Sequence, residues 1–263
     1  IVSLAPFQDR NFTLGVTITF ISGAALYGGT FLLPLFLAHV RGYSAAEVGN
    51  VMLMSGLVMF VATPLLGRIV RAIDFRFSLG LGMGLTAWGM WQGVYINDQW
   101  GFWEFAAMQA ARGLGSMIAM IAASQMSVAT LPLSMMKDAS GLINLLRNVG
   151  GAFGIAIVST TMLQASVTHL QALNEGVSRS SQRAQDFLVG MTERMAGLGV
   201  ADPGGAARKA MGYMIGRDAQ VLAYMDAFAL VAIGAALAAV IGFFAAPAGL
   251  KAPGAPPRPA GGA

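Results

Sequence analysis

GLINLLRNVGGAFGIAI, residues 141–157, is built from aliphatic residues and glycine as a membrane helix would be, yet it carries Asn144, Arg147 and Asn148. A charged group near the centre of a span costs ~2.5–3.5 kcal/mol on insertion scales, so these side chains need partners or a polar interior. Whether the run is a span at all depends on its surroundings. Of the 263 residues, 56% are hydrophobic and 11% charged, against ~25% charged in an ordinary soluble domain. The mean hydropathy is +0.66. The charges gather between uncharged runs at 11–40, 48–67, 77–97, 113–136, 148–174 and 227–250. A helix needs ~20 such residues to cross a ~30 Å hydrocarbon layer, and every one of these runs is long enough.

The fold class that follows is an all-α membrane protein, a six-helix bundle with spans near 12–38, 48–69, 77–96, 103–130, 139–163 and 222–246. The runs are apolar all round, which excludes the alternating strands of a membrane barrel. Cysteine is absent and the two histidines, His39 and His169, are far apart in sequence. Disulfide and thiol chemistry are therefore excluded, and no metal, haem or other cofactor is expected. The net charge of +4 comes from residues flanking spans and implies no nucleic-acid partner; the expected surroundings are a lipid bilayer.

Lysine and arginine in short loops set the orientation. Arg68, Arg71 and Arg76 follow span two, Lys137 follows span four, and Lys251 and Arg258 follow span six, whereas INDQWGFWEF between spans three and four has acids and no base. Both ends of the chain are thus expected in the cytoplasm. Residues 1–11 read as a cytoplasmic linker arriving from an upstream segment, so a fragment of a longer protein is expected. Residues 12–169 hold five spans, and 221–246 the last. Between them, 170–220 read as an extracytoplasmic excursion with a short amphipathic helical hairpin, since Phe187, Leu188, Met191 and Met195 recur at helical spacing and ADPGG marks a turn. Residues 247–263, rich in proline, glycine and alanine, read as a disordered tail. Small residues four apart, Gly80 and Gly84, Gly150 and Gly154, and Gly234 with Ala238 and Gly242, suit close helix packing in lipid.

The polar residues inside spans are the candidates for function. Gln109, Arg112 and Ser116 share a face of span four, as do Asn144, Arg147, Asn148 and Gly151 on span five, and span one adds a seam of Thr19, Ser22, Gly23, Tyr27 and Thr30. Arg112 and Arg147 each lie ~12–14 Å inside the layer, from opposite sides. Together they suggest a shared polar interior for substrate or protons. A plainer reading stands beside it, in which Arg147 binds backbone carbonyls or extends to the aqueous face. Asp226, near the outer end of span six, reads as an interfacial cap or salt-bridge partner, with a proton site as the other reading.

The chain resembles the C-terminal half of the EmrB/QacA-type drug:proton antiporters, fourteen-span members of the major facilitator superfamily. FQDRNFTLGV, YGGTFLLPLFLAHVRGYSAAEVG, GRIVRAIDFR, ARGLGSM and DASGLINLLRNVGGAFGIAI carry the likeness, in that order, across nearly the whole chain. The resemblance implies that spans one, two, four and five line a central cavity. GRIVRAIDFR is similar to the superfamily's cytoplasmic gating loop at Gly67, Arg68, Arg71 and Arg76, although Val70 stands where that motif carries aspartate, leaving Asp74 as the acid. ARGLGSM is similar to the motif whose arginine takes part in proton transfer, matching at Arg112 and departing at Gly115 and Ser116. The implied function is proton-coupled efflux of hydrophobic, amphipathic or cationic small molecules across a bacterial inner membrane. The implied partners are the N-terminal half of the same protein, substrate and protons, and a periplasmic adaptor. A non-transporting membrane component and an importer of the same superfamily are the alternatives. An intramembrane hydrolase has little support, because no serine motif accompanies His39.

Overall fold

A computed structural model describes residues 3–97, 100–176 and 182–245. The described residues form helices and turns, in seven α-helices: α1 Arg10–His39, α2 Ala45–Ala72, α3 Phe75–Gln92, α4 Phe102–Val128, α5 Met136–Gly176, α6 Gln182–Gly197 and α7 Pro203–Ala245. Local chemistry places most of their starts. Asp9 accepts a hydrogen bond from the Phe12 amide at 2.8 Å, and Ser44 and Glu47 form a reciprocal capping box. Asp74 accepts from the Arg76 amide at 3.1 Å. Asp202, one residue before Pro203, accepts from the Gly205 amide at 2.9 Å. Gly42 and Gly199 take φ of +67° and +74°, a region that side chains disfavour, and so turn the chain after α1 and α6.

Five helices, α1, α2, α4, α5 and α7, are long and apolar enough to cross a membrane. The span expected at 77–96 is α3, whose 18 residues continue as a 3-10 turn over Gly93–Tyr95. At their respective rises this still covers ~33 Å. Of these five, α4 is the most buried and α2 the least. α1 packs on α4, α5 and α7, α3 packs between α4 and α7, and α2 leans on α4. Leu32, Leu33, Phe36, Met90, Phe105 and Phe228 fill the core at one end; Ile18, Leu66, Phe75, Leu79 and Met126 fill it at the other.

The largest departure from expectation is at residues 163–222. α5 runs to Gly176 and α7 begins at Pro203, with 41 and 43 residues. Helices of that length span ~60–65 Å, about twice the ~30 Å hydrocarbon layer. The expected boundaries at 169/170 and 220/221 therefore fall inside continuous helices. In place of the expected short amphipathic hairpin, α6 packs on α7, with Leu188, Met191 and Met195 half-buried and Phe187 exposed. This projecting part of α5, α6 and α7 is the hairpin end. In residues 1–11, Ala5–Gln8 form a 3-10 turn and Asp9 ties α1 to the end of α4 through Thr130 at 2.9 Å. The tail at 247–263 lies outside the described residues.

The glycines are used selectively. A side chain at Gly150 or Gly154 would run into the Phe20 or Ala24 carbonyl of α1, so these two set the α1–α5 distance. Gly82, Gly89 and Gly115 do the same for α3 and α4. Gly84 and Gly234, expected to pack, meet nothing within 4 Å.

Candidate functional site

α1 carries a polar seam, and two clusters attach to it one turn apart. In the first, Arg112 on α4 is almost completely buried. Its Nε donates to Gln109 Oε1 at 2.9 Å and its Nη1 to Thr30 Oγ1 at 3.0 Å and the Leu26 carbonyl at 3.4 Å. No carboxylate partners it among the described residues. Hydrogen bonds to a charged group are worth ~1.5–3 kcal/mol each, enough in sum to offset the ~2.5–3.5 kcal/mol of placing the charge in a span. The guanidinium needs three acceptors in different directions, and α1 supplies two of them. Gln109 also lies 3.2 Å from the Met52 sulfur on α2.

In the second cluster, Tyr27 donates from its hydroxyl to Asn148 Oδ1 at 3.1 Å, its ring lying against Gly151. Arg147 donates to Asn144 Oδ1 at 3.0 Å and to Ser124 Oγ on α4 at 3.1 Å, while its buried Nε has no partner. Tyr27, Thr30, Asn144 and Asn148 are exposed on this face and Arg147 is half-buried. The seam is shorter than the sequence suggested. Thr19 is buried and donates to the Gly15 carbonyl, and half-buried Ser22 lies 3.4 Å from the Met83 sulfur. Ser116 leaves the Arg112 group altogether and lies 3.4 Å from Thr86 on α3. Ser124, which joins Arg147 to α4, was missed; a lone serine in an apolar run gives no signal by itself.

The loop residues are used structurally. Asp74 starts α3, and Arg76 donates from Nε to the Phe243 carbonyl at 2.8 Å, near the end of α7. A cation there satisfies a terminal carbonyl and suits the helix dipole. Gly67 and Arg68 sit on the last turns of α2, where a Cβ at Gly67 would meet nothing within 4 Å, and the side chain of Arg71 lies outside the described residues. Arg76→Ala is expected to lower the melting temperature in detergent by an amount equivalent to about 1 kcal/mol; an unchanged melt would mean that the α7 end holds without it.

Asp226 and His169 meet at the hairpin end, Oδ2 to Nε2 at 2.7 Å, joining α7 to α5. Both are partly exposed, so the pair is worth ~0–1 kcal/mol by the usual range for such contacts. A double-mutant cycle of Asp226→Asn and His169→Gln should return a coupling of about that size. A much larger coupling would show a pair shielded from water.

The major facilitator superfamily model matches residues 2–155. The colistin resistance protein EmrB of Acinetobacter baumannii is 35% identical over 182 residues, covering 68% of this chain and 35% of that protein. The multidrug export protein EmrB of Escherichia coli K12 is 26% identical over 201 residues, 76% of this chain and 38% of the relative. The fatty acid resistance protein FarB of Neisseria gonorrhoeae is 31% identical over 183 residues, 64% of this chain and 33% of the relative. The chain thus matches about a third of the length of these curated relatives.

Proposed function

The chain belongs to the major facilitator superfamily, a family of transporters, and is an integral protein of the bacterial inner membrane; from that premise we propose that it forms the C-terminal bundle of a proton-coupled exporter of hydrophobic and amphipathic small molecules. The observation that carries this reading is the exposed polar face of α1 and α5, where Tyr27–Asn148 and Asn144–Arg147 stand beside the buried Arg112–Thr30 link. In lipid such a face needs a water-filled cavity, and a second bundle opposite it would enclose one. Alternating access then follows from rocking of the two bundles about that cavity. The hairpin end faces the periplasm in this reading, with both ends of the chain in the cytoplasm, and the projecting α5–α6–α7 unit is a docking surface for a periplasmic adaptor.

The face offers donors and one guanidinium, and the segments that form it, 19–30 and 144–157, contain no acid. Neutral or anionic lipophilic substrates suit this bundle better than cations, and the relative named for fatty acid resistance is in keeping with that. The test is retention of matched anionic, neutral and cationic fluorescent lipophiles in cells expressing the full-length protein. Expected is lower retention of the anionic and neutral probes, abolished by an uncoupler. Equal retention with and without the protein for every probe would overturn the reading.

A further inference from the structure

Tyr224 of α7 is 4% exposed, yet its hydroxyl makes no hydrogen bond to any described residue. A buried tyrosine ordinarily finds a partner for that group. The ring stands edge-on to Phe36 of α1, centroids 5.4 Å apart, and its other surroundings are a cavity. α1 ends at His39, whereas α5 and α7 continue past it. Between the three helices is a half-open space of about 700 Å³ that Tyr224 helps to line, within the ~300–1,000 Å³ typical of small-molecule sites. Gly212 and Gly216 keep its α7 wall open, and a Cβ at either would meet nothing within 4 Å.

The lining is apolar with a few neutral hydrogen-bonding groups, the composition of a small-molecule site. Leu35 and Val40 of α1 with Met162 and Leu163 of α5 give aliphatic walls. Gln220 stands one turn from Tyr224 on the same face of α7, and Ser166 adds a hydroxyl from α5. Neither side chain is hydrogen-bonded to a described residue. His39 holds Nδ1 on the Leu35 carbonyl at 3.1 Å, which makes Nε2 of the neutral ring an acceptor. The cavity offers a ligand no free charge. No described lining residue is acidic, and Arg217 already has a partner of its own. An ion entering would lose water without gaining a counter-charge. An uncharged molecule with a polar head and an aliphatic body meets none of that cost and satisfies the unpaired groups.

We propose that this cavity between α1, α5 and α7 binds an uncharged amphiphile, its hydroxyl or carbonyl head bonded to the Tyr224 hydroxyl and the Gln220 amide and its aliphatic body against Val40, Met162 and Leu163. The inference concerns binding alone and stands whether or not the protein exports.

The experiment uses purified full-length protein in detergent and four photoactivatable probes with the same sixteen-carbon chain: hexadecanol, monopalmitoylglycerol, hexadecane and ionised palmitate. Crosslinks are mapped by peptide mass spectrometry. The two uncharged hydroxyl probes should label peptides containing Met162–Ser166 and Gly212–Tyr224 about tenfold more than hexadecane, the ratio expected for one hydrogen bond. They should also exceed palmitate. Preference between the two identifies the source, a free lipophilic alcohol or a glycerolipid head. Tyr224→Phe should bring hexadecanol down to the level of hexadecane. Without probe this variant should melt like the parent, because the hydroxyl has no bond within the protein to lose. Gly216→Phe should fill the cavity and suppress labelling by every probe. Labelling by palmitate or hexadecane equal to that by hexadecanol, a lowered melt for Tyr224→Phe, or labelling that neither variant changes would overturn the proposal.

Discussion

Lysine at position 112 is expected to cut efflux by about tenfold or more while leaving the amount of protein in the membrane near parental. Arg112 addresses three acceptors from two nitrogen atoms, one on its own helix and two on α1. A lysine ammonium keeps the charge but is a single point on a flexible stem, so it cannot hold Gln109 and α1 together. One or two charge-assisted bonds are lost, at ~1.5–3 kcal/mol each, and each 1.36 kcal/mol in a barrier is about a factor of ten in rate. Thr30→Val removes one acceptor and leaves the Leu26 carbonyl, so its effect should be smaller than that of Arg112→Lys. Efflux normalised to membrane protein level measures both. Parental rates for both variants would mean that the α4–α1 link is packing alone.

Leucine at Gly150 or Gly154 is expected to prevent stable folding, whereas leucine at Gly84 or Gly234 is tolerated. At the first pair a side chain collides with backbone, the Phe20 and Ala24 carbonyls, which cannot rotate away. α1 and α5 would have to separate along their whole seam, breaking the Tyr27–Asn148 bond with it. Overpacking a fitted core costs ~1–3 kcal/mol and more where nothing can move. At the second pair nothing lies within 4 Å. Monodisperse protein recovered from detergent, and its melting temperature, separate the two outcomes. Equal recovery of all four variants would show that the α1–α5 approach is not set by glycine.

Much of the fold was legible because a membrane span is written in length and hydropathy, and six uncharged runs located six helices to within a few residues at most ends. α5 and α7 were not legible beyond the membrane. There Glu175, Arg208, Lys209 and Arg217 dilute the apolar signal, and a helix with polar residues on several faces reads like a loop. The glycine pairs were visible as a spacing, but spacing does not say which side of a helix meets another, which is why Gly84 and Gly234 were misplaced. At the candidate site, the same-face grouping drew together Gln109, Arg112 and Ser116. The long side chains of the first two bend to meet each other, while the short serine reaches only what lies beside its own Cβ, which is Thr86 of α3. The contact of Arg76 with the Phe243 carbonyl joins residues far apart in the chain, and no local pattern announces it.

The central claim is that the polar face of α1 and α5 lines a water-filled path for substrate. The chain contains no cysteine, so a thiol introduced at Asn148 can be read without interference, once any thiols elsewhere in the full-length protein are replaced. Asn148→Cys is compared with Leu237→Cys, whose position is exposed on the apolar outer face of α7. The measurement is the rate of modification by a charged, water-soluble thiol reagent, with and without transported substrate. The account predicts rapid modification at position 148, slowed by substrate, and little at 237. Equal rates at the two positions, or a rate at 148 that substrate does not change, would contradict it.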